Sequence, residues 1–176
     1  MTPLRATPTW LLALALLVAV AAATGCGYQH QELFPQDIRT VAVPIAENRN
    51  PQFYRDVEFE LTEALIKEIE LRTPYKVVRG EVADTRLAVT VVEVEQSLVS
   101  RRRPSGLPQE MEVTVAVDFE WKNLRSPQQV IRDGKGFAAV GRYIPTSGVG
   151  EPFEIARRAA VANLARDLVD QMRADW

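Results

Sequence analysis

The chain has 176 residues, 47% of them hydrophobic and 25% charged, and a formal net charge of −2. That composition is globular and excludes collagen-like, disordered and polytopic membrane classes. No global field attracts nucleic acid, so none is expected as a partner, and any anion site needs a local basic cluster.

The first segment carries the strongest signal. A short start with Arg5 leads into the apolar run Trp10 to Ala23, and then Ala23-Thr24-Gly25-Cys26. The run is too short for a spanning helix, which needs roughly 20 apolar residues, and it matches the core of a secretory signal. Cys26 is the single cysteine, so no internal disulfide, CxxC pair or multi-cysteine zinc site is available. Ala23 to Cys26 resembles a lipobox, in which the cysteine is acylated after cleavage before it. Two or more acyl chains, at about 0.8 kcal/mol per buried methylene, anchor a protein stably. The competing readings are an uncleaved anchor and an ordinary signal with a chance cysteine. Gly27 leaves out the acidic residue associated with inner-membrane retention, which favours the outer membrane. The expected organisation is a signal peptide over 1–25, a lipid-anchored tether over 26–36 and one domain over 37–176.

In the domain, Ile38 to Ile45 predicts a first strand, with Pro44 suited to its end or to a sheet edge. Ala46 to Asn50 reads as a loop. Asn50-Pro51 predicts a helix start, with Asn50 as N-cap and an apolar stripe of Phe53, Val57, Leu61, Ala64, Leu65 and Ile69. Pro74 stops that helix near Thr73. Tyr75 to Val78 is a short strand and Thr85 to Val99 a long one, bulged near Val91-Val92 where the apolar phase switches. Arg101 to Gly106 is a hairpin tip. Met111 to Trp121 alternates cleanly, one face on a core and one in water. Val130 to Tyr143 is a strand broken at Asp133-Gly134. A second helix runs from Pro152 to about Arg173, with Ile155, Ala159, Ala162, Leu168, Val169 and Met172 on its apolar face. The fold class expected is α+β, two helices packed on one face of a mixed, mainly antiparallel sheet, a two-layer sandwich.

Catalytic residues are not predicted. The single histidine, His30, lies in the tether, whereas a general base must be held rigidly against its nucleophile. Gly134-x-Gly136 lacks the rest of a nucleotide loop. Glu112, Asp118 and Glu120 share a strand face, which reads as solvated surface rather than a metal or acid–base site, and no metal or cofactor is expected. Arg101, Arg102 and Arg103 stand out, with Lys135 in a later connection expected nearby. Guanidinium forks grip phosphates, so these four are candidates for glycolipid binding, against a plain solvated turn.

Cys26-Gly27-Tyr28 after a signal run, then TVAVPIAENRNPQFYRDVEFELTEALIKEIELRTPYKVV, resembles the lipopolysaccharide-assembly lipoprotein E (LptE) family. The similarity rests on Val43 and Asn48 at a strand-end turn, the helix LTEALIKEI closed by Arg72-Thr73, and an Ala83-Asp84 turn into a long strand. It implies a non-enzymatic outer-membrane lipoprotein that plugs a β-barrel translocon (LptD-like), assists its assembly and binds lipopolysaccharide or a related glycolipid during export. The domain would then lie on the periplasmic side or within a barrel. The alternative is a lipid-anchored periplasmic adaptor of an envelope transporter or secretion complex, without glycolipid contact.

Overall fold

The computed structural model describes residues 33–49, 54–101, 108–125, 129–145 and 152–173, within a compact unit that runs from Glu32 to Trp176. Among them are β1 (Thr40–Ala42), β2 (Glu47–Asn48), α1 (Val57–Arg72), β3 (Lys76–Val77), a 3-10 turn (Gly80–Val82), β4 (Thr85–Arg101), β5 (Pro108–Asn123), β6 (Val130–Tyr143) and α2 (Pro152–Asp170). One sheet runs β3–β1–β4–β5–β6, with β2 also on β4. β1, β2 and β3 pair in parallel, while β4, β5 and β6 form long antiparallel ladders. With both helices on one face, this is the expected α+β sandwich. Neither described helix is long and apolar enough to cross a membrane.

The predicted first strand is two pieces. From Ala42 to Glu47 the chain takes one step more than β4 takes between their partners Arg86 and Thr90. Pro44, which has no N–H to offer a ladder, sits in that gap. The Ala46 N–H donates instead to Thr62 Oγ1 of α1 at 2.9 Å. Asn48 beyond it donates through Nδ2 to the Tyr54 carbonyl and to Glu58 Oε2, both at 3.0 Å. Glu47 and Asn48, expected in a loop, thus form a strand that also holds the start of α1.

That helix begins at Val57 rather than at Asn50-Pro51, a pair outside the described residues. Its cap is Asp56, in the left-handed region at φ 70°, a conformation aspartate tolerates better than most residues. The chain before it is already committed, because Tyr54 stacks on Phe153 of α2 at 5.8 Å. From Val57 the expected stripe holds: Val57, Leu61, Leu65 and Ile69 are fully buried, each contributing about 1.5–3 kcal/mol. The helix ends as expected, Thr73 Oγ1 donating to the Ile69 carbonyl at 2.7 Å.

β4 bulges between Val91 and Glu93, as the phase switch predicted, and Val94 then packs against the core. β6 is not broken at Asp133-Gly134. It runs through, with one irregularity at Ile131 and another at Lys135-Gly136, where it spends one residue more than β5 and Gly136 takes φ 62°. Asp118 Oδ1 accepts the Gly136 N–H at 3.0 Å and fixes this bulge.

The buried face of α2 differs from the predicted one in its first half. Ile155 is 65% exposed and Ala159 exposed, whereas Ala156, Ala160, Val161, Leu164 and Ala165 are buried. An alanine-rich run has little periodic contrast, and the choice is made by a notch in β6. A Cβ on Gly141 would lie 1.9 Å from the Ala156 carbonyl oxygen and 2.9 Å from the Ala160 nitrogen. Leu168, Val169 and Met172 are buried as expected. Arg157, 8% exposed, bridges the helices: it pairs with Glu60 of α1 at 2.9 Å and with Glu154, and donates to the Arg55 carbonyl.

The starts of β1 and β4 are tied by Asp84. Its Oδ2 accepts the Arg39 and Thr40 N–H groups at 2.9 and 3.1 Å, its own N–H donates to Thr40 Oγ1 at 2.8 Å, and Arg125 pairs with its other oxygen. The Arg39 N–H above all, then Thr40 and the Arg125 charge, hold this carboxyl below the usual carboxylate range against the opposing effect of burial. The unfolded chain therefore binds a proton here at higher pH than the folded one, so the stabilisation is complete above the unfolded value and lost as pH falls through the folded one.

Two predictions follow from this architecture. Gly141→Ala must lift α2 from β6, costing about 1–3 kcal/mol and lowering Tm by roughly 5 °C in a thermal melt. Gly80→Ala is the control, since its Cβ would meet only Ala42 Cβ at 3.9 Å; equal melts for the two would show that the notch is not tight. Asp84→Asn should lower the urea midpoint at neutral pH, and its gap from the native chain should narrow below about pH 4. A gap constant down to pH 3 would mean that the Asp84 charge carries none of the stability.

Candidate functional site

β4 and β5 are longer than the helices that cover them. In β4 no residue after Val91 is buried, and Leu98 and Val99 are 37% and 42% exposed. The helical layer ends near Gly141, against Ala156 and Ala160 in the first turns of α2. Beyond it the β4–β5 hairpin continues as an arm to Arg101, paired with Pro108.

Register gives the arm two unlike faces. Leu98 lies opposite Met111, and Met111 opposite Tyr143, an apolar row across three strands closed by a hydrogen bond between Gln96 and the Tyr143 hydroxyl. On the other face Ser97 is opposite Glu112, and Glu112 opposite Arg142. Arg142 Nε donates to Glu112 Oε2 at 2.8 Å. Glu112, through both its hydrogen bond and its charge, and Glu110 behind it raise the Arg142 pKa above the ordinary arginine value. Of the acids nearest the tip, Glu112 is paired with Arg142, and Glu110 acts on Arg142 through charge alone.

Arg101 stands exposed at the arm's end. Arg102 and Arg103 belong to 102–107, outside the described residues, as do Cys26 and His30. Lys135 is elsewhere. It sits at the β6 bulge beside Asp118, lining a shallow depression of about 240 Å3 with Thr90, Glu120 and Asp133. Asp118 and the tip partner Pro108 are ten residues apart on β5, roughly 33 Å of strand. The structure does not bring Lys135 to the arginines; the basic residue it does place at the base of the arm is Arg142. The sequence reading missed Arg142 because only the β5–β6 register sets it opposite Glu112.

Of the four carboxylates on the β5 outer face, Glu110, Glu112, Asp118 and Glu120, the last three are in ion pairs. Glu112 pairs with Arg142, Asp118 with Arg49 at 3.0 Å, and Glu120 with Lys122 at 2.6 Å. Among the described residues no cluster of acids, histidine or cysteine is arranged to hold a metal. The arrangement offers a different chemistry: the exposed Arg101 guanidinium at the arm's end suits phosphate or carboxylate oxygens, and the apolar row behind it suits hydrocarbon.

The fold recurs in solved structures of low sequence identity. A protein from Xanthomonas campestris superposes with TM-score 0.55 at 12% identity, covering 80% of this chain and 87% of the other. A hypothetical protein from Chlamydia trachomatis gives 0.52 at 8% identity, over 77% and 97%. The rare lipoprotein B from Shewanella oneidensis gives 0.51 at 16% identity, over 76% and 93%. No curated protein matches the sequence directly. The family model described as LptE, lipopolysaccharide-assembly, matches residues 38–176, nearly the whole described domain, and the chain belongs to that family.

Proposed function

We propose that the protein is a non-enzymatic lipoprotein of the outer membrane, anchored by acyl groups on Cys26, that binds lipopolysaccharide or a related glycolipid and plugs and helps to assemble a β-barrel translocon. Family membership supports the assembly role. The observation that carries glycolipid binding is the two-faced arm, whose arginine end suits phosphate groups and whose Leu98–Met111–Tyr143 row suits the start of an acyl chain. Lys135 is dropped from this reading because of its distance from the tip, and Arg142 takes its place as the group that neutralises Glu112.

Charge reversal at Arg101, Arg102 and Arg103 together should weaken glycolipid binding by about tenfold or more and flatten its salt dependence, read by titration at two ionic strengths. Lys135→Glu should change neither. Unchanged binding in the triple variant would end the glycolipid role of the tip.

The anchoring and barrel parts are tested together by purifying the native tagged protein in mild detergent. The expected result is a stoichiometric β-barrel partner and an intact mass that shows cleavage before Cys26 with lipid attached. Recovery of an inner-membrane transporter instead would support the lipid-anchored adaptor, and an unmodified Cys26 would remove the anchor.

A further inference from the structure

The far end of the sheet holds a second feature, unrelated to the arm. A cavity of about 670 Å3 lies between the β1 exit, the β3–β4 connection and the end of β5, lined by Val43, Pro44, Val77 and Leu124, with Arg79 and Arg86. Its volume falls in the range of small-ligand sites. Arg86 points to the sheet face opposite Leu87 and Val89, while Val43 and Val77 of the apolar wall pack against the core.

Among the described residues that line this cavity, the charged ones are both basic. Neither the Arg79 nor the Arg86 guanidinium has a hydrogen bond or ion pair among the described residues. Arg86 also lies directly opposite Lys122 in the β4–β5 register, a like-charge juxtaposition that costs stability. Glu120 pairs with Lys122 and offsets part of that opposition, and Asp84 is taken by backbone N–H groups and Arg125. Two guanidinium groups without a partner among the described residues, beside an apolar wall, suit a ligand with one anionic head and one hydrocarbon part.

We propose that this cavity binds a phosphate-bearing amphiphile, the phosphate between Arg79 and Arg86 and the apolar part against Val43, Pro44, Val77 and Leu124. Phosphate fits the pair because guanidinium forks engage its oxygens in bidentate fashion. Arg86 and Arg101 are fifteen residues apart on β4, roughly 50 Å of strand, so this site neither includes the arm nor rests on the glycolipid reading of it.

The test uses the full chain in phosphatidylcholine nanodiscs, titrated calorimetrically with soluble dihexanoyl phosphatidic acid, with dihexanoyl phosphatidylcholine and with inorganic phosphate. Phosphatidic acid should saturate one site, with the other two at least about tenfold weaker. The Arg79→Gln/Arg86→Gln variant should lose about tenfold or more in phosphatidic acid affinity while its Tm stays level or rises, since Arg86 no longer opposes Lys122. Leu124→Asn should weaken phosphatidic acid and leave phosphate unchanged. Charge reversal at the tip arginines should leave the site intact. Equal phosphatidic acid affinity in the double variant overturns the proposal, as does inorganic phosphate binding as tightly as the lipid. Loss of binding only in the tip variant would overturn it too, while leaving the arm's role standing.

Discussion

The antiparallel ladder between β4 and β5 is the element to which the rest of the molecule is attached. β1 and β2 hang in parallel on β4, β6 continues the sheet from β5, α2 packs over β6 and β5, and α1 packs beside α2 towards β2 and β3. The ladder is far longer than the helices need. Its buried residues stop at Val91 on one strand and begin at Val113 on the other; Val94 still packs against the core, and nearer the tip the ladder bonds hold the hairpin. An arm of paired strands can present Arg101 beyond the packed part of the sheet.

Cohesion between the layers depends on small residues as much as on large ones. Gly141 lets α2 approach β6 to backbone contact, and the buried alanines 156, 160 and 165 keep that distance along the helix. The interior of the sandwich is then filled by Trp121, Leu61, Leu65, Leu87, Leu164 and Leu168. Polar residues do the positioning: Thr62 accepts the N–H stranded by the break at Pro44, Asn48 holds the start of α1, and Asp84 clamps the starts of β1 and β4. These are the motif positions that carry the family resemblance. They secure chain geometry, which explains why a strong resemblance came with no catalytic residue attached to it.

The N-terminal boundary has a physical basis too. Phe34 meets Tyr75 edge-on at 5.7 Å, and Tyr75 lies 6.2 Å from Trp121, so the segment expected to be tether is already packed at Phe34. Tyr75 is buried, and its phenol is pushed well above its ordinary pKa, first by that burial and then by the Asp37 carboxylate.

Sequence alone determined what depends on local repeats and on chain direction. The period of two in Met111 to Trp121, the period of 3.6 from Val57 to Ile69, the stop at Pro74 and the bulge after Val91 were all readable, because each is set by neighbours within one element. The layered fold class followed from them. Tertiary structure decided what depends on register and on which neighbour is present. Pro44 divided a strand because β4 required a ladder there; alanines gave α2 no preferred face until Gly141 supplied a notch; and the α1 start moved to Asp56 because Tyr54 docks on Phe153. The same holds for the candidate site. The three arginines were legible as a charge cluster, but their company was not: register carried Lys135 away along the sheet and set Arg142 against Glu112, since one residue's shift in pairing changes both the face and the neighbour of every side chain that follows.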